Sequence, residues 1–187
     1  MSLSNFSNIE PPKTAQAAAV YRRGTPVHGC IGKPQDILRK HLTDLAPNEE
    51  IQFWSFGRFA QHDLLFYLLQ QTGPAHVEVA TWSICNEAME RILRLVSDGT
   101  IRTIRFILDP RVKVRNPRPL QILIKNFPYV LTPCHAKVTL IHNEQWNVSV
   151  VSSQNMTRNP RMERGIINTD SEIFKFDKEV FDETFRG

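Results

Sequence analysis

The chain has 187 residues, 41% hydrophobic and 22% charged, with a formal net charge of +4. That length allows one domain with a real core and is too short for two of ordinary size. The composition excludes a disordered chain, and a sequence pI near 9.1 permits an anionic partner without requiring one.

No apolar run approaches the roughly 18 residues of a membrane span. The first ten residues lack the basic and apolar regions of a signal peptide, and Ala17 to Val20 is too short to supply one. The cysteines Cys30, Cys85 and Cys134 are odd in number and widely spaced, which argues against a disulfide framework. A cytoplasmic location is the default expectation.

Residues 1–33 carry Pro11, Pro12, Gly24, Pro26, Gly29 and Gly32 and read as an irregular arm ahead of one domain over 34–187. From Pro34 to Leu45, Ile37, Leu38, Leu42 and Leu45 fit one helical face. Ile51 to Phe56 alternates as a strand. Arg58 to Gln71 is helical, stopped at Gly73-Pro74. His76 to Ile84 is a strand, and Asn86 caps a helix ended by Gly99. Ile101 to Leu108 is the next strand, followed by a loop at Asp109-Pro110. Pro119 to Asn126 offers a short helix, Tyr129 to Thr132 a strand, and Phe176 to Phe185 a terminal helix packing Phe181 and Phe185. This alternation predicts an α/β fold, a mixed sheet flanked by helices.

The stretch from Cys134 to Thr157 carries the chemistry. Two β-branched runs flank Asn143-Glu144-Gln145, an antiparallel hairpin pattern. Strand alternation puts His135 and Lys137 on one face, and Ser153 and Asn155 together if the second strand extends that far. With His142 paired to Trp146, Ser153 falls opposite His135. An imidazole, an ammonium, a hydroxyl and an amide then converge on a patch suited to a phosphodiester. Glu163 follows closely.

His-x-Lys, then Ser-x-Asn, then a glutamate resembles the phospholipase D superfamily, whose signature is His-x-Lys-x4-Asp followed by a Gly/Ser-Ser-x-Asn segment. The likeness is to its small single-motif endonucleases of the Nuc type and covers roughly residues 50 to 187. Two positions depart from the signature: His142 stands at the Asp position, and Ser152 replaces the usual Gly. Alternation points His142 away from His135.

The resemblance implies a phospholipase D-like single domain that hydrolyses phosphodiesters with no metal or other cofactor. In that family one histidine attacks phosphorus and a second protonates the leaving oxygen. Small members bring the two together in a homodimer. Here His135 takes those roles, Lys137 and Asn155 stabilise phosphoryl oxygens with Ser153 beside them, and Glu163 holds the imidazole nitrogen that does not react. A catalytically inactive descendant that binds nucleic acid or serves assembly is the second reading, kept open by His142. Lipid diesters have less support, because no amphipathic membrane helix stands out.

Two basic clusters are candidate nucleic-acid contacts: Arg111, Lys113, Arg115 and Arg118 after one strand, and Arg158, Arg161 and Arg164 after the Ser-x-Asn segment. Solvated basic loops are the equal alternative. His28, Cys30, Cys134 and His135 match no compact zinc-finger spacing.

Overall fold

The computed structural model describes residues 18–21, 26–27 and 34–187. Strands β1 (Ala18–Tyr21) and β2 (Pro26–Val27) fall in the stretch expected to be irregular. The rest of that arm, with His28 and Cys30, lies outside the described residues. Helix α1 (Pro34–His41) buries Ile37 and Leu38. Strand β3 (Glu50–Trp54) turns Ile51 and Phe53 inward. Helix α2 (Gln61–Thr72) is apolar through its middle, Leu64 to Leu69, and is buried on nearly every side, its polar Gln61, His62 and Asp63 included.

The parallel pair β4 (Ala75–Thr81) and β5 (Ile101–Leu108) is joined by the amphipathic helix α3 (Asn86–Ser97). A helical turn α4 (Val112–Arg115) and helix α5 (Pro117–Asn126) follow, the latter opened by a proline at its first position. Strand β6 (Tyr129–Leu131) is parallel to β5. The hairpin β7 (Val138–His142) and β8 (Asn147–Ser152) leads to β9 (Arg164–Asn168). Helix α6 (Ser171–Arg186) ends the chain, with Asp170 accepting from the amides of Glu172 and Ile173 as its N-cap.

The nine strands form one mixed sheet in the order β2-β1-β3-β9-β8-β7-β4-β5-β6. Its larger core cluster packs Phe53, Phe106, Val79, Ile141 and Val150 with Leu64, Leu65, Leu68, Ile92 and Leu123 of the helices. On the other face α6 covers Ala80, Ile107 and Leu140 with Phe174 and Phe181. The expected α/β architecture with a mixed sheet flanked by helices is what the chain adopts. Strand β9 had no expectation over it, because five residues with a glycine in second place carry little strand signal. Gly165 is required there: a Cβ would come within 2.7 Å of the Ser152 Cβ and closer still to the Phe53 ring.

The hairpin departs from its expected register by one residue. His142 pairs with Asn147, not Trp146, so the turn has four residues. The Asn143 side chain sets it by accepting from the amides of Gln145 and Trp146, both at 2.9 Å.

A charged cluster fixes α6 to the sheet. Glu78 of β4 is only 4% exposed and accepts from Arg105 Nε at 3.0 Å and Nη2 at 2.7 Å. Lys178 lies 3.3 Å away and His142 Nε2 3.7 Å away, while Asp182 bonds both Arg105 and Lys178. Burial alone would raise the Glu78 pKa, but the nearby His142, the bonds from Arg105 and the charges of Arg105 and Lys178 bring it below its ordinary value. A carboxyl with a lowered folded pKa stabilises above its unfolded pKa, and that contribution disappears as pH falls through the folded value. Glu78→Ala, which removes one of the two carboxylates bound to Arg105 and leaves Asp182, should cost about 2 kcal/mol at neutral pH. Urea unfolding between neutral pH and pH values below the ordinary carboxylate range should show the gap between wild type and variant closing. A gap of constant size would contradict the assignment.

Candidate active site

Because β7 runs antiparallel to β4 and β8, one edge of the sheet gathers the ends of β3, β4, β5 and β8 and the starts of β7 and β9. His135 and Lys137 precede β7, Ser153 and Asn155 follow β8, Glu163 precedes β9, and Trp82 follows β4. Residues distant in sequence therefore meet at one rim, where α/β sheets commonly bind ligands.

Lys137 is 7% exposed, and its ammonium donates to the His135 carbonyl at 2.6 Å. No carboxylate pairs with it among the described residues. Burial pushes its pKa below the usual lysine value, against the opposing charge of Glu163. His135 itself lies in the loop before β7 and is exposed. Its ring stands edge-on to Trp82 with centroids 5.7 Å apart. The Arg115 guanidinium covers Trp82 at 4.0 Å and that of Arg111 lies 5.3 Å from the same ring.

Asp109, at the end of β5, accepts from the Cys134 amide at 3.3 Å and so ties down the loop carrying His135. Arg111 binds the same carboxylate through two nitrogens, at 2.7 and 3.0 Å, and holds its pKa far below the usual range.

The Ser-x-Asn segment lies just beyond β8. Gln154 is buried and donates to the Phe59 carbonyl at 2.6 Å, leaving Ser153 and Asn155 on the accessible side. Asn155 Oδ1 accepts from the Thr81 hydroxyl and the Trp82 amide, both at 3.3 Å. Its amide nitrogen remains as a donor toward the rim. Ser153 donates to Glu163 and accepts from the Arg164 amide at 3.0 Å. Beneath them Gln61 joins the two hairpin strands, donating to Thr139 at 3.2 Å and accepting from Ser152 at 2.8 Å. The hydroxyl at Ser152 thus has a partner, and Gly165 opposite it supplies the space.

Three expectations change. With the register shifted by one, Ser153 is not opposite His135. Glu163 bonds Ser153 and Asn159, the latter at 2.7 Å, and makes no hydrogen bond to His135 within the chain. Arg158 is exposed but ion-paired to Asp63 at 2.9 Å and Glu87 at 2.6 Å, so its charge is already matched within the chain. Arg164 reaches Gln52 at 2.5 Å. Lys113, Arg118 and Arg161 are exposed, without an ion pair among the described residues.

His142 does face away from the rim residues. It lies on the α6 side, its ring stacked on His76 at 5.1 Å and tilted against Phe174 at 5.5 Å. Trp82 and Asp109 received no assignment from the sequence. An aromatic and an acid directly after the two parallel strands were the available signal.

No protein-family model matches the chain, and no curated protein matches it significantly. Solved structures do. Nuc from Salmonella typhimurium, a phospholipase D family member, aligns with a TM-score of 0.51 at 11% identity, covering 66% of this chain and 86% of its own. Polyphosphate kinase from Porphyromonas gingivalis aligns with a TM-score of 0.57 at 10% identity, covering 79% of this chain and 30% of its own. TrmBL2, an archaeal chromatin protein, reaches 0.46 at 14% identity over 68% of this chain and 49% of its own, too slight a likeness to carry weight. The chain has the fold of the phospholipase D family member Nuc.

Proposed function

We propose that the protein is a metal-independent phosphodiesterase that cleaves nucleic acid through a phosphohistidine, at a site shared by two copies of the chain. The observation that carries this reading is the buried, unpaired Lys137 ammonium next to His135 at the sheet rim. A cation with so little solvation favours an anion bearing several acceptor oxygens, and a phosphodiester supplies one. The Asn155 amide nitrogen and the exposed Lys113, Arg115, Arg118 and Arg161 suit a polyanion extending from the rim.

In the first half-reaction an imidazole nitrogen of His135 attacks phosphorus and forms a P–N bond. The P–O ester bond breaks, and the leaving oxygen takes a proton from the second copy's imidazole. That imidazole then removes a proton from water, the resulting hydroxide attacks phosphorus, and the P–N bond breaks to release the monoester. Lys137 and Asn155 stabilise charge on the non-bridging oxygens. Glu163, already fixed by Ser153 and Asn159, keeps lone pairs for an imidazole brought by the second copy. The same lack of a Glu163–His135 bond within the chain favours the second reading, an inactive nucleic-acid-binding or assembly domain. The position of His142 on the opposite face weighs against that second reading.

The protein should hydrolyse a chromogenic phosphodiester, or nick DNA or RNA, in excess EDTA under conditions where it stays folded. Activity that disappears with chelator from a folded sample and returns with a divalent ion counts against the proposal.

His135→Ala should lower turnover by at least about 100-fold and leave the melting temperature unchanged, since the ring is exposed. Lys137→Met keeps the buried stem and removes a charge that burial disfavours. It should be equally inactive and no less stable. Mixed with excess His135→Ala, wild type should lose more activity than subunit dilution explains. Activity that tracks wild-type chains one for one, or full activity from a monomer, overturns the shared site.

A further inference from the structure

Away from the rim, a second cluster sits where α2 meets α3. His62 belongs to the first turn of α2, Cys85 is the residue before α3, and Glu87 lies in the first turn of α3. One potential ligand atom from each lies within 4.8 Å of the other two. His62 is wholly buried, and neither of its ring nitrogens has a hydrogen-bond partner among the described residues. An imidazole sealed from water with both nitrogens unmet is costly, and buried polar groups in folded chains are normally satisfied. Glu87 Oε1 lies 3.8 Å from Nε2, beyond hydrogen-bonding reach.

The geometry points to a binding site for one zinc-type divalent ion held by His62, Cys85 and Glu87. The donor set is one imidazole, one thiolate and one carboxylate. Nitrogen and sulfur donors select a borderline transition metal and disfavour magnesium and calcium, which take oxygen. Zinc bonds of about 2.0–2.3 Å place tetrahedral ligands roughly 3.3–3.8 Å apart. The His62–Glu87 separation already meets that spacing, and the remaining gaps close with small side-chain rotations. Glu87 is 43% exposed at its side chain, so water reaches the fourth position.

The surroundings resemble the outer shell that supports a ligating carboxylate. Arg158 grips both Glu87 oxygens, at 3.0 and 2.6 Å. Arg158 and Arg91 in turn share the buried Asp63, each at 2.9 Å, which balances the positive charge around the ion.

The ion would tie the first turn of α2 to the loop after β4. That loop carries Trp82, whose amide holds Asn155, and its Cys85 amide donates to the Met156 carbonyl at 3.0 Å. Its role is therefore to add stability where α2 meets α3, and the rim keeps its own hydrogen bonds when the ion is removed. It takes no part in the proposed chemistry, and the inference stands independently of it.

The test uses the full chain, stripped with chelator and titrated with Co²⁺ and then Zn²⁺. One Co²⁺ per chain should bind with a thiolate-to-metal charge-transfer band in the near ultraviolet, and Zn²⁺ should displace it and raise the melting temperature. Cys85→Ser should abolish the band and weaken Zn²⁺ by at least about 100-fold, whereas Cys30→Ser and Cys134→Ser should keep both. Should Cys85→Ser fail to fold, Glu87→Ala is read instead, and unchanged Zn²⁺ affinity there overturns the site. A folded, stripped wild type with neither band nor thermal shift at saturating metal also overturns it. So does a band that follows Cys134.

Discussion

A lysine ammonium withdrawn from water and given a single main-chain carbonyl is the constraint on which the rest depends. Lys137 is buried against the sheet, bonded to the His135 carbonyl, with no carboxylate paired to it among the described residues. Burial disfavours its charge, and a chain selected only for stability does better with an apolar side chain there. The neighbours are arranged to leave the charge in place. Glu163 contributes its field but gives its hydrogen bonds to Ser153 and Asn159, and Asn155 turns its oxygen toward β4 and its nitrogen outward. An unneutralised cation with a neutral donor beside it suits binding of a multi-oxygen anion.

The sheet makes this arrangement by topology. The antiparallel hairpin β7–β8 beside parallel β4 and β5 brings six strand ends to one rim. His142 lies on the α6 face, where Glu78 of the neighbouring strand supplies a carboxylate to His142, Arg105 and Lys178. The acidic group beside His142 thus comes from β4.

Much of this was legible in the sequence, because strand–helix alternation and the His-x-Lys and Ser-x-Asn spacings are local patterns. The missing parts are those that local pattern does not encode. One side chain, Asn143, lengthened the hairpin turn and shifted the register by accepting two amides. Strand β9 was hidden because Gly165 answers to packing against Phe53 and Ser152, not to strand propensity. Arg158 and Arg161 are equivalent as text, yet only Arg158 meets carboxylates 95 and 71 residues away. Trp82 gains its place over His135 only when the end of β4 meets the loop before β7.

The central claim is that His135 becomes covalently bonded to phosphorus, and the most direct measurement is to look for that bond. A phosphodiester substrate labelled in its phosphoryl group is mixed with wild type, quenched in alkali where phosphoramidates survive, and digested for mass spectrometry. The account predicts a phosphoryl group on the peptide carrying His135, present in wild type within the first turnover and absent from His135→Ala. Steady turnover with no phosphorylated peptide at any quench time, or a label on another residue that persists in His135→Ala, would contradict it.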